Sequence, residues 1–292
     1  MQEMQDITLH KTAEYDGMPE ALPSVDLAEL SEDTRGGESQ DALMSAGWQA
    51  IQELEDLRRV SARLFPRDLP RMADTVYAGV CMEAHHAGGD FYDFFDCGPN
   101  RLGVAVGDVS GNGVASAVLR ATLQASLRTL RLMGMGDFQR SLALANQLLY
   151  RSAPEAMYAS LFLAEYDERS RRLRYVNCGH PAPALAHDEE VIWLQPTATV
   201  LGLFSEWQCT VGEAYIEPGD TLLLYTDGVT EATDTCGEEF GPDRLLAVLR
   251  AQSDVPLSML LQECLSQVRR FSQGNLCDDL TLVVLRCLEH GR

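Results

Sequence analysis

The stretch AHHAGGDFYDFFDCG, residues 84–98, sets two glycines before an aspartate and then mixes aromatic with acidic side chains. Gly88-Gly89-Asp90 can build a nucleotide site, hold a metal ion or turn a hairpin, and on that triplet alone all three stay open. The flanking runs narrow the setting. Residues 74–82 (DTVYAGVCM) and 101–107 (RLGVAVG) read as strands, with Cys97-Gly-Pro-Asn as a turn between them.

Working outward, GDVSGNG is followed by a long apolar-rich helical pattern at 113–133 and a second at 136–151. Strand-like runs return at 159–166, 171–177, 182–186, 191–194, 208–216 and 220–226. Helical patterns fill 242–251 and 256–272, and NLCDDLTLVVLRCL closes on a strand. Upstream, Trp48, Ile51, Leu54, Leu57 and Leu64 recur at three- and four-residue steps or their multiples, among charged residues, until Pro66 and Pro70 end the pattern. Strands cluster, helices come in pairs, and no regular strand–helix alternation exists. The expected fold class is therefore α+β, with antiparallel sheets and helices layered outside them.

Composition sets bounds on function. The 292 residues are 46% hydrophobic, enough for a sizeable core, and carry a formal charge of −21. That balance argues against a general affinity for nucleic acid or an anionic membrane, both of which need a basic face. No apolar run reaches the roughly 18–20 residues that span a bilayer, and the polar, acidic start lacks a signal-peptide layout. Eight scattered cysteines without a C-x-x-C pair read as reduced core or near-core thiols, and the expected location is cytoplasmic. Residues 1–41 hold eleven Asp/Glu against Lys11 and Arg35, a local net of −9, so residues 1–40 are expected to be an acidic, disordered arm. An amphipathic helix (41–65) and a folded domain (66–292) complete the expected organisation.

Four aspartates stand where apolar strands run out into polar turns: Asp90 after the glycines, Asp108 before GNG, Asp227 before Gly228, and Asp278 at the start of the last strand with Asp279 beside it. Taken singly, each loop is equally an ordinary turn, because Asp-Gly and Asp-Asp are common there. Taken together, carboxylates that converge repel one another unless cations neutralise them. Oxygen ligands without Cys-x-x-Cys or His-x-x-x-His spacing select magnesium or manganese over zinc.

The motifs GGDFYDF, GDVSGNGV, NCGHPAP, YTDGVTEA and CDDLTLVV, in this order and spacing, resemble the SpoIIE-like (stage II sporulation protein E) branch of the metal-dependent PPM serine/threonine protein phosphatases, from about residue 65 to 288. The resemblance implies an αββα sandwich with two Mn2+ or Mg2+ ions between the sheet ends. It puts Asp90, Asp108, the carbonyl of Val109, Asp227 and Asp278 on the metal ligands, and makes Asp279 the partner that orients water. It implies direct hydrolysis of phosphoserine or phosphothreonine with no phosphoenzyme. The implied substrate is a phosphorylated STAS-domain anti-sigma-factor antagonist. It further implies a homodimer through residues 41–64, with cis packing of that helix as the alternative. Gly89, Gly111, Gly113 and Gly228 would let backbone approach the metals, and Glu231 would support its loop or merely sit on the surface. His85-His86 reads as a strand-end pair, with a proton donor or phosphate contact as the alternative, and His180 as structural rather than catalytic.

Competing readings fail on particular residues. A P-loop needs a lysine after its glycines, and Lys11 is the only lysine in the chain. A diguanylate cyclase needs an acidic residue after GGD, where Phe91 stands; a haloacid-dehalogenase phosphatase needs an Asp-x-Asp pair, and a calcium-binding loop a D-x-D-x-D-G run. A different class, a degenerate phosphatase fold that only holds a partner, would show lost ligand aspartates, and here all are present.

Overall fold

The computed structural model describes residues 37–289 apart from 68, 85–86, 133–136, 155, 188–189 and 253–254. The first 36 residues of the expected acidic arm, and His85 and His86, lie outside the described residues. The chain opens with helix α1 (Gly37–Ser61), then β1 (Thr75–Met82), β2 (Phe91–Asp96) and β3 (Arg101–Val109). Helices α2 (Gly113–Leu132) and α3 (Phe138–Ser152) follow, then β4 (Ala159–Asp167), β5 (Arg172–Cys178), β6 (Ala184–His187), β7 (Glu190–Trp193), β8 (Gly212–Tyr215) and β9 (Thr221–Tyr225). A single turn, α4 (Asp227–Thr230), precedes α5 (Gly241–Ala251), α6 (Leu257–Phe271) and β10 (Leu280–Cys287).

Two five-stranded antiparallel sheets form, in the orders β1-β10-β9-β6-β7 and β2-β3-β4-β5-β8. They face each other across one core layer that includes Tyr92, Phe94, Val104 and Val106 from one side and Leu222, Leu224, Val283 and Leu285 from the other. The outer face of the first sheet is covered by α5 and α6, and that of the second by α2 and α3. The α+β expectation is met as an αββα sandwich.

This layering explains a strand that the sequence reading passed over. FYDFFD has no apolar–polar alternation, because both of its faces are covered. Tyr92 and Phe94 enter the layer between the sheets, whereas Phe91 and Phe95 pack under α2 and α3. Asp93 shares the helix-facing side and is held there by Arg128 Nε (2.6 Å), Arg128 Nη2 (3.1 Å) and Gln124 Nε2 (3.2 Å) from α2. The last strand divides the same way, with Leu280, Leu282 and Val284 toward the helices and Val283 and Leu285 toward the opposite sheet.

Helix α1 starts at Gly37 and ends at Ser61, a turn short of the expected Leu64, where the chain tightens into a turn. The Leu64 carbonyl accepts from Gln124 Nε2 at 2.8 Å and from Arg128 Nη2, so α2 grips the chain directly after α1. Farther back α1 leaves the core: Trp48, Ile51 and Val60 are exposed. All eight cysteines are free thiols, and Cys236 and Cys277 are exposed rather than near the core. No described helix is long and apolar enough to cross a membrane.

Asp93 is the buried charge on which the contact between β2 and α2 turns. With Arg128 about one-third exposed, Asp93→Ala is expected to lower unfolding free energy by about 2–4 kcal/mol, somewhat less than for a fully buried pair. Urea denaturation measures this, and a loss indistinguishable from zero would show that the pair is dispensable.

Candidate metal centre

The antiparallel registers bring the acidic loops to one end of the sandwich. Phe91 pairs with Gly107, and the Val109 amide donates to the Gly89 carbonyl at 3.2 Å, so Asp90 and Asp108 end up side by side. On the other sheet Leu280 pairs with Met82 and Leu282 with Tyr225, and the Thr226 amide donates to the Thr281 carbonyl at 3.1 Å. Asp227, Asp278 and Asp279 therefore flank the same strand ends, and the Ala84 amide and Gly88, between β1 and β2, lie against Asp279.

Contacts to the loop backbone are close enough to exclude side chains. A Cβ on Gly89 would lie 2.3 Å from the Val109 carbonyl oxygen, and one on Gly228 would lie 2.1 Å from the Asp279 carbonyl oxygen. Gly88 is tighter still, at 1.6 Å from Asp279 Oδ2. Gly111 and Gly113 differ from the expectation: their positive φ values, not any close approach, call for glycine.

Each acid has its own environment. Asp90 is buried, and its Oδ2 accepts from Thr226 Oγ1 (2.7 Å) and Thr281 Oγ1 (2.6 Å). Burial, then the charges of Asp108 and Asp279, push its carboxyl well above the usual range against the pull of those hydroxyls. Burial, followed by Asp227, Asp278 and Asp279, pushes the Asp108 carboxyl up to about 7. Burial and then Asp278 raise Asp227, whose Oδ1 accepts from the Gly228 amide at 3.0 Å. Asp278 is exposed at the rim, its Oδ1 accepting from the Asp279 amide at 2.8 Å. Asp279 is buried against the loop, where its Oδ1 accepts from the Ala84 amide at 2.8 Å and its Oδ2 from the Asp90 amide at 3.5 Å. Glu231 is exposed, yet its carboxyl is raised by burial and then by Asp227, which places it on the rim of the same cluster.

The acids thus crowd one another without closing: among the described residues, no three His, Cys, Asp or Glu side chains meet as a ready ligand cage. The donor set nonetheless fits hard divalent cations. It is all oxygen, its negative charges raise one another's proton affinity, and glycine keeps the Val109 carbonyl uncovered. Sequence reasoning missed Thr226 and Thr281, the two hydroxyls on Asp90. Their signal was adjacency, since each stands within three residues of a candidate acid, but nothing local says that they face Asp90.

His180 is buried, its Nδ1 sharing a 2.8 Å hydrogen bond with Ser160 Oγ and its amide donating to Asn177 Oδ1 at 2.8 Å. Ser160 pairs with Asp108 across β3 and β4, so the imidazole braces a strand next to the cluster. Burial lowers its pKa to about 3, leaving it neutral near pH 7.

A family model described as Stage II sporulation protein E (SpoIIE) matches residues 98–288. The chain is 27% identical over 263 residues to Protein IcfG of Synechocystis sp., covering 80% of this chain and 41% of that one. It is 23% identical over 236 residues to the phosphoserine phosphatase RsbU of Bacillus subtilis, covering 80% and 70%. It thus spans less than half the length of IcfG. Among solved structures, the SiaA-PP2C domain of Pseudomonas aeruginosa matches with a TM-score of 0.71 at 20% identity over 82% of this chain and 98% of that one. The catalytic domain of the serine/threonine protein phosphatase PstP, solved with two manganese ions, matches with a TM-score of 0.55 at 18% identity, covering 74% and 99%.

The neutral His180 predicts a pH dependence of stability. Its folded pKa lies below the unfolded value, so its contribution is intact above about pH 6.5 and is lost as pH falls toward 3, by up to about 1.4 kcal/mol per pH unit. Denaturant melts between pH 4 and 7 should show a shallower slope for His180→Asn than for wild type. Equal slopes would mean that the imidazole takes up its proton without unfolding.

Proposed function

Because the chain belongs to the stage II sporulation protein E (SpoIIE) family, we propose that it is a metal-dependent protein serine/threonine phosphatase acting on phosphoserine or phosphothreonine of a regulatory protein. The observation that carries this reading is the crowding of Asp90, Asp108, Asp227, Asp278 and Asp279 at one end of the sandwich, where Asp90, Asp108, Asp227 and Asp279 each feel the charge of neighbouring acids. The name of RsbU and the two manganese ions of PstP support it. Residues 66–292 are the catalytic domain in this reading, and the acidic arm (1–40) and linker helix (41–65) stand outside it.

Asp90, Asp108, Asp227, Asp278 and the Val109 carbonyl would hold two Mn2+ or Mg2+ ions. Such a pair, when bound, activates water for in-line attack on phosphorus and offsets charge on the phosphoryl oxygens. The remaining work falls to the chain. Thr226 and Thr281 fix the rotamer of Asp90 by donating to one of its oxygens. Asp279 ties the Asp90 loop to the start of β10 through the Ala84 and Asp90 amides and, beside Asp278, is the acid that orients water. His180, neutral and bonded to Ser160, supports the strand opposite Asp108 and takes no part in proton transfer.

The substrate we propose is a phosphorylated STAS-domain protein, recognised through surface contacts remote from the metals. With Mn2+ present, kcat/KM should be far higher for that phosphoprotein than for an aryl phosphate, and EDTA should abolish turnover. Asp108→Asn should lower kcat at least about a hundredfold, the scale of losing a preorganised electrostatic group, with an unchanged circular dichroism spectrum. Undiminished turnover in EDTA or in Asp108→Asn would refute the assignment.

Helix α1 needs a partner surface, since an amphipathic helix gains little alone. Trp48, Ile51 and Val60 are 63%, 46% and 60% exposed, and Leu57 is only partly covered. We propose a homodimer through residues 41–64 with Trp48 and Leu57 at or near the contact. Sedimentation should find the full chain dimeric and a Trp48→Glu, Leu57→Glu variant monomeric; a monomeric wild type would reject the pairing.

A further inference from the structure

One cation is buried beside the acids. Arg120, about two turns into α2, is 1% exposed. Its Nη1 donates to the Asp90 carbonyl oxygen at 3.0 Å and to Glu83 Oε1 at 3.1 Å. Its guanidinium carbon lies 5.6 Å from the ring centroid of Phe65, just beyond α1. Its Nε and Nη2 have no hydrogen-bond partner among the described residues. As a packing element this is a poor choice. Buried donors without partners oppose folding, and an unbranched apolar side chain of similar length would fill the space more favourably.

Its location supplies another reason for it. Helix α2 begins directly after the Asp108–Val109 segment, and Arg120 reaches back from it to the main chain of Asp90 and to Glu83 just past β1. One side chain therefore couples the segment bearing Asp108 to the segment bearing Asp90. Its charge also acts favourably on Asp279 and Glu83, against their repulsion by neighbouring acids. Thr226, Thr281 and Asp279 secure the side chain and amide of Asp90, and Arg120 secures its carbonyl.

We propose that Arg120, oriented by Glu83, is a positioning residue for the metal centre: it sets the Asp90 main chain relative to α2 so that Asp90 and Asp108 are poised to share a divalent ion. The proposal rests on the metal-centre reading given under Proposed function. Glu83 keeps the guanidinium from being an unpaired buried charge, which makes the pair, rather than Arg120 alone, the unit to test.

The test is Mn2+ binding by isothermal titration calorimetry on the full chain, with melting temperatures in EDTA measured alongside. Four proteins are compared: wild type, Arg120→Met, the double variant Arg120→Met with Glu83→Gln, and Arg120→Lys. Both Met variants should bind Mn2+ about 10–100-fold more weakly, the usual scale for losing a group that orients a ligand. The double variant's melting temperature in EDTA should be unchanged or raised, that of Arg120→Met alone lowered because Glu83 is left buried without its partner, and Arg120→Lys should recover part of the affinity. Unaltered Mn2+ affinity in the folded double variant would overturn the proposal. Loss of folding in both Met variants would overturn it as well, by making Arg120 a support of the fold itself. A wild-type chain that binds no Mn2+ would remove the metal-centre reading and this proposal together, an outcome distinguished by the failure of wild type and not of the variants alone.

Discussion

Mutual repulsion among carboxylates at the end of a closely packed sandwich is the constraint to which the rest of this structure answers. Asp90 and Asp279 are buried, Asp108 and Asp227 are half-buried, and each has its proton affinity raised by its surroundings. In water such groups would move apart. Here they are held by antiparallel registers that end β3 and β9 and begin β10 at one place, and by glycines that let the loops approach within distances no Cβ would allow. Folding therefore opposes electrostatics at this end, which is the arrangement expected where the compensating charge comes from bound cations.

The opposition is affordable because the centre of the molecule is ordinary and strong. Strands β2, β3, β9 and β10 bury side chains on both faces, so each is clamped between the facing sheet and a pair of helices. Such packing tolerates little local adjustment. Strand ends built on it keep their spacing, and hydroxyls such as those of Thr226 and Thr281 meet Asp90 without a search through alternative rotamers.

Helix α2 links this centre to the N-terminal helix. Gln124 and Arg128 hold both the Leu64 carbonyl beyond α1 and the buried Asp93 of β2. One turn earlier on the same helix, Arg120 meets Phe65 on one side and the Asp90 carbonyl on the other. The path from α1 to the acidic loops is thus a run of direct contacts along a single rigid element, with the exposed apolar surface of α1 at its far end.

Much of this was legible in the sequence because it is encoded locally. Period-2 and period-3.6 patterns mark most strands and helices, and strand-end aspartates beside glycine mark the acidic loops. FYDFFD was not legible as a strand, since burial on two faces erases the alternation by which strands are read. Nor was Arg120, which in sequence is one more basic residue on an amphipathic helix and becomes a buried contact to Asp90 only when α2 packs on β2. The residue types of the centre were thus set by the chain alone, whereas the partners of each side chain were decided by which strands lie next to one another, a property of long-range pairing that no short window of sequence contains.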